Sequence, residues 1–225
     1  MSDERTGNNR VYIRGEIVSK FSYSHEVYGK RFYMADICIC RNSGYRDVVP
    51  FIASDKLMDA GHDYCGQMAS IYGQFHSYNS RGRGWRRLKL FLFAHEIDFS
   101  GREPAENRVD NEIILEGVLC KEPVYRKTPL GREITDILLA VNRPYGKTDY
   151  IPCIAWGWNA KLAARLGVGT AINIRGRIQS REYVKLLSDE ETEIRVAYEV
   201  SASILSLREG TGKMAVKTQN CMETF

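Results

Sequence analysis

Two tandem copies of one all-β domain, each with a single short helix, are what this 225-residue chain predicts. Three observations carry that reading. Short runs with period-2 alternation of apolar residues recur along the chain. Glycine, proline and aspartate landmarks repeat 102 or 103 positions apart. The balance of 44% hydrophobic to 27% charged residues is that of an ordinary folded chain.

The repeat fixes the domains. Gly15 and Gly117, Gly29 and Gly131, Gly44 and Gly146, Asp47 and Asp149, and Pro50 and Pro152 are each 102 apart. Gly73 and Gly176, Ser77 and Ser180, and Glu96 and Glu199 are each 103 apart. An offset held over most of each half indicates duplication of a whole domain, not a solenoid of short units. The expected division is a flexible start at 1–8, a divergent first domain at 9–99, a linker at 100–109, a second domain at 110–208 and a flexible tail at 209–225. The linker lacks apolar periodicity and carries Gly, Pro and charge.

In the first copy the expected strands are 11–19, 33–40, 47–53, 69–76 and 88–97, with a helix near 56–61. In the second they are 112–119, 134–141, 149–156, 171–179 and 195–203. The second helix is expected at 160–167, with Asn159 as N-cap and Gly167 as its stop. Five strands with a helix after the third is the order of the OB-fold, a five-stranded, partly open barrel that binds oligonucleotides or oligosaccharides. Alternation points Ile172, Ile174 and Ile178 inward with Gly176, and Asn173, Arg175 and Arg177 outward. Ala69, Ile71 and Phe75 face inward by the same count. Gly73 and Gly176 interrupt good strands where a barrel wall bends or bulges.

Several function classes fall away. No apolar run approaches the ~20 residues of a membrane span. The opening Met1-Ser2-Asp3-Glu4 is acidic, unlike a secretion signal, so a cytoplasmic protein is expected. Six cysteines form no CxxC pair, and Cys38 and Cys153 sit in apolar strand patterns as small hydrophobes. His25, His62, His76 and His95 share no metal-ligand spacing. Phosphate-loop, HExxH and Gly-x-Ser-x-Gly motifs are missing. The acidic run Asp189-Glu190-Glu191 with Glu193 reads as a solvated hairpin loop. No catalytic residue, metal or cofactor is expected.

Binding features are richer. On the strand 149–156, Tyr150, Pro152, Ile154 and Trp156 share one face. An aromatic ring at each end of a strand face suits a stacking platform for unpaired bases. The run 131–167, flanked by IILEGV before it and by INIRGRI and QSREY after it, resembles the bacterial single-stranded DNA-binding protein family. The resemblance covers roughly the second half, and it implies base stacking by Tyr145, Tyr150, Trp156 and Tyr183. Trp158, following Gly157, is placed as a cap on the barrel. Around these rings stand Arg126, Lys127, Arg132, Arg143, Lys147, Arg175, Arg177, Arg181 and Lys185, cations able to neutralise phosphates.

The first copy departs from this pattern. Ser43, Val48, Ser54 and Ser80 stand where the second has its four rings, while Tyr45 and Tyr78 lie nearby as substitutes. Phe51 has the opposite parity to Val48 and is expected to face inward. The hairpin 80–87 carries Arg81, Arg83, Arg86, Arg87 and Trp85, a cationic finger suited to phosphates and stacking.

The expected function is therefore coating and protection of single-stranded DNA in replication, recombination or repair. The family presents four barrels, which implies a homodimer of this two-barrel chain. Family members also recruit replication and repair proteins through an acidic tip ending in Phe, matched here by Phe225 with Glu223 as its one carboxylate. The alternative is a primosome-type adaptor, whose first barrel holds another replication protein.

Overall fold

The computed structural model describes residues 7–81, 86–102, 109–186 and 192–208. The first half forms β1 (Asn9–Ile17), β2 (Ser22–Val27), β3 (Lys30–Cys40), β4 (Arg46–Ser54), β5 (Met68–Arg81) and β6 (Arg86–Asp98). The second forms β7 (Asn111–Leu119), β8 (Val124–Lys127), β9 (Glu133–Asn142), β10 (Thr148–Trp156), α1 (Gly157–Ala163), β11 (Ala171–Leu186) and β12 (Thr192–Leu207).

Each half closes into a barrel. β1 pairs with both β3 and β5, β3 with β4, β4 in parallel with β6, and β6 with β5. The second half repeats the circuit through β7, β9, β10, β12 and β11, with β10 and β12 parallel. The predicted tandem barrels are therefore present. Alternation placed their walls correctly: Ile172, Ile174 and Ile178 are wholly buried, and so are Ile71, Phe75 and Phe51. At about 25 cal/mol per Å² of apolar surface, each such side chain contributes roughly 1.5–3 kcal/mol.

The barrels join edge to edge. β1 and β7 run antiparallel, pairing Asn9 with Leu115, Val11 with Ile113, and Ile13 with Asn111. Asn9 and Asn111 are equivalent in the repeat, so a local two-fold relation passes through the Val11–Ile113 pair. The two asparagines also act alike. Asn9 bonds both the carbonyl and the N–H of Phe75, at 2.8 and 2.9 Å. Asn111 does the same for Ile178, at 2.7 and 2.9 Å.

Register shifts fall at Tyr72/Gly73 and at Arg175/Gly176, as the glycines predict. A Cβ on Gly73 would lie 2.0 Å from the Phe93 carbonyl oxygen, and one on Gly176 2.1 Å from that of Ser201. Only glycine permits this approach.

Four expectations need correction. Residues 55–67 are turns, not a helix, because Asp59 and Asp63 fold their carboxylates onto the N–H groups of Gly61 and Cys65. The one α-helix among the described residues, α1, begins at Gly157 with Trp156 in the N-cap position and ends at Ala163. Asn159 instead donates its amide to the Ser203 carbonyl, at 2.9 Å. Glu96 does not answer Glu199: Gly73 faces Ala94 and Gly176 faces Ala202, so Glu96 answers Ile204. The strands β2 and β8 are additional, lying as short outer edges on β3 and β9. Most of the linker 100–109, most of the start 1–8 and the tail 209–225 lie outside the described residues. No described helix is long and apolar enough to cross a membrane.

Candidate nucleic-acid interface

The second barrel's outer face is organised by β10. Its buried residues Ile151, Cys153 and Ala155 point into the core, which leaves Tyr150, Pro152 and Trp156 half-buried on the outside. Burial pushes the Cys153 thiol far above its usual range, as befits an inert core residue. The parallel pairing of Ile154 with Ser201 carries the same face onto β12, and the pairing of Gln179 with Glu199 carries it onto β11. Arg177, Arg181 and Tyr183 thereby share a surface with Tyr150 and Trp156.

The rings differ in exposure. Tyr145 is 100% exposed at the tip of the β9–β10 hairpin, in a 3-10 turn where its φ is 62°. Tyr183 is 38% exposed and stands opposite Arg195, whose guanidinium is held by Glu193. Trp158 is 79% exposed at the start of α1, so it does not cap the barrel. Tyr23, Tyr28 and Tyr125 are also exposed, on the two edge hairpins that sequence reading missed.

Three of the predicted cations hold a carboxylate partner. Arg126 donates to Asp136 at 2.6 and 3.1 Å, which raises its pKa, with Glu199 adding to the effect. Arg143 is 3.1 Å from the buried Asp149, and Arg175 is bonded to Glu112 of β7. These three are already paired with carboxylates of the chain itself. Lys127, Arg132, Lys147, Arg177 and Arg181 are exposed and make no ion pair among the described residues. Lys185 is half-buried near the end of β11. Glu199 sits centrally on β12 and accepts from the Gln179 amide at 2.6 Å.

Asp47 and Asp149 tie the barrels together. Asp149 accepts from the N–H of Ser77 at 2.7 Å and lies 2.8 Å from His76 Nδ1, both on β5 of the other barrel. Asp47 accepts from the N–H of Ser180 at 2.7 Å and from Arg41 at 2.5 and 2.6 Å. Each β-hairpin arm thus reaches across to its neighbour.

In the first barrel, Val48 is exposed and Phe51 wholly buried, as their parity requires. Tyr45 carries the Arg41 guanidinium over its ring at 4.5 Å, and Tyr78 is 60% exposed on β5. Arg81, Arg86 and Arg87 stand at the end of the β5–β6 ladder, while Arg83 and Trp85 lie outside the described residues. The first barrel does not lack rings. Phe32, Phe91, Phe93, His25, His76 and His95 contact one another across its outer face. They sit on β2, β3, β5 and β6 instead of β4, so comparison by repeat position did not find them.

The family model of the Single-strand binding protein family matches residues 110–206. A single-stranded DNA-binding protein 2 of Streptococcus agalactiae is 32% identical over 117 residues, covering 49% of this chain and 86% of that protein. The chain belongs to the single-strand binding protein family. The single-stranded DNA-binding protein of Halalkalibacterium halodurans is 36% identical over 80 residues, covering 32% of this family member and 48% of the relative. Apart from the streptococcal protein, this family member spans about half the length of the curated relatives described. The crystal structure of the wild-type single-stranded DNA binding protein from Thermus aquaticus shares its fold, with a TM-score of 0.68 at 21% identity over 95% of this chain and 99% of that one.

Proposed function

We propose that this chain binds single-stranded DNA without strong sequence preference, coating and protecting it during replication, recombination or repair. One observation carries the reading: Tyr150, Trp156 and Tyr183 share one outer barrel face with the exposed cations Arg177 and Arg181. Rings stack on any base, and the cations neutralise the phosphates between them. The relatives' names agree with that chemistry. The units doing the work are residues 9–99 and 110–208, joined through 100–109. Two chains would assemble as a homodimer of four barrels, in the cytoplasm with the nucleoid, with replication or repair proteins as further partners. The adaptor alternative drew on a first barrel stripped of aromatic rings, and the ring-lined face of β3 and β6 removes that ground.

A titration of labelled oligo-dT and of a matched duplex into the chain tests the proposal. Tight, salt-sensitive binding of the single strand with weak duplex binding is expected. Equal affinity for both, or for neither, would refute it.

A further inference from the structure

We infer that His76 gates Arg143: when the imidazole takes up a proton, this arginine is released from Asp149 and becomes a phosphate contact. The inference rests on the single-stranded DNA reading above and adds a cation that the reading leaves out. The two oxygens of Asp149 are used differently. Oδ1 accepts the Ser77 N–H at 2.7 Å and the Ser77 hydroxyl at 3.3 Å. Oδ2 lies 2.8 Å from His76 Nδ1 and 3.1 Å from Arg143 Nε. The imidazole holds the hydrogen bond there. Arg143 Nε is buried but makes no hydrogen bond, so charge alone keeps the guanidinium in place.

The equivalent joint on the other side lacks the histidine. Asp47 takes two hydrogen bonds from Arg41, at 2.5 and 2.6 Å. Gln179 stands where the first barrel has His76, with its amide turned to Glu199. Of the two joints, only that at Asp149 contains a side chain of the kind that changes charge between about pH 5 and pH 8.

The surroundings of His76 are mostly uncharged. Phe93 and Phe91 of β6 lie 5.7 and 6.2 Å from its ring, and the next outward residues on that strand are Lys89 and His95. From β10 comes Asp149, followed by Tyr150, whose N–H is bonded to Ser77 Oγ at 2.8 Å. Arg143 reaches in from the end of β9.

When His76 is uncharged, its Nδ1–H donates to Asp149 and Arg143 supplies the balancing charge. A proton on Nε2 makes the ring itself the counter-ion. One carboxylate then has two cations, and Arg143 is the more accessible, with its side chain 27% exposed against 8% for His76. A phosphate that captures the arginine restores neutrality. Proton uptake and strand binding therefore strengthen each other reciprocally. Arg143 also adjoins the turn that carries the fully exposed Tyr145, so a released guanidinium stands beside a ring able to hold a base. His76 is thus a positioning residue for Arg143.

Oligo-dT titrations across a range of salt, at about pH 5.5 and about pH 8, test this. For the unaltered chain, the plot of log affinity against log salt should be steeper at the lower pH by up to about 0.7, one further phosphate contact on a single strand. His76→Gln, which copies the equivalent position of the second barrel, should give equal slopes at the two pH values. Arg143→Ala should do the same. Retention of the difference in either variant would overturn the inference. Calorimetry of the unaltered chain in two buffers of unequal ionisation heat needs no variant, and binding at about pH 6.5 without proton uptake would overturn it too. Failure to bind oligo-dT at either pH sinks the parent reading. Binding with one slope at both pH values sinks this inference alone.

Discussion

Asp149 of the second barrel accepts the backbone N–H of Ser77 in the first, at 2.7 Å. Its side chain is wholly buried, and Arg143 and His76 close around the same carboxylate. The charge is thus withdrawn from water, accepts hydrogen bonds from the first barrel and is paired with Arg143 of its own barrel. Asp47 repeats the arrangement with Arg41 and Ser180.

Asp149→Asn should therefore destabilise the chain by about 3 kcal/mol, because it leaves a half-buried arginine without its charge partner. Urea unfolding measures this. A loss below about 0.5 kcal/mol would mean that the cross-barrel carboxylate is not holding the halves together.

On the second barrel, Trp156→Ala combined with Tyr183→Ala should weaken oligo-dT binding by at least about tenfold, since each stacked base is worth roughly 1–3 kcal/mol. Fluorescence anisotropy of a labelled oligonucleotide at moderate salt reads the change. Unaltered affinity would show that the β10–β11 face is not where bases sit.

The cations divide into two groups with different expected behaviour. Arg177→Ala with Arg181→Ala should flatten the plot of log affinity against log salt by about 1.4, at about 0.7 per phosphate contact on a single strand. Arg126→Ala should change the slope little, since Asp136 already neutralises that side chain. The reverse ranking would contradict the assignment.

Gly176→Ala should cost about 3 kcal/mol or more, because the new methyl group meets the backbone oxygen of Ser201. Thermal unfolding of the purified variant, or its failure to accumulate in soluble form, reports the loss. Gly131→Ala is a suitable comparison. Nothing crowds its Cβ position, so only the positive φ opposes the change, for about 1 kcal/mol.

Much of this architecture was legible in the sequence because the barrel walls alternate strictly. Ile172, Ile174 and Ile178 announced their side of the sheet, and the paired glycines announced the bulges. The strands β2 and β8 gave no such sign, since all their residues are exposed and nothing alternates. The first-copy helix failed where aspartate and glycine turns replace the buried Ala160 and Ala163 of α1. Pairing Glu96 with Glu199 assumed equal hairpins, which the ladder register does not support. The outward placement of Tyr150 and Trp156 on β10 was readable from parity alone. The neutralised arginines were not, because their carboxylate partners come from other strands. Phe32 and Phe93 have the same outward parity, but the equivalent positions of the second copy, Ile134 and Ser201, carry no ring to mark them.

The β1–β7 seam through Val11 and Ile113 has a consequence for how such a molecule can change. In an assembly of identical subunits, every substitution appears on both sides of the seam at once. Here the two partners are covalently tethered, so they meet at high effective concentration however dilute the protein. A substitution then falls on one side only. One half can carry its aromatic rings on different strands from the other, and neither has to remain compatible with a copy of itself.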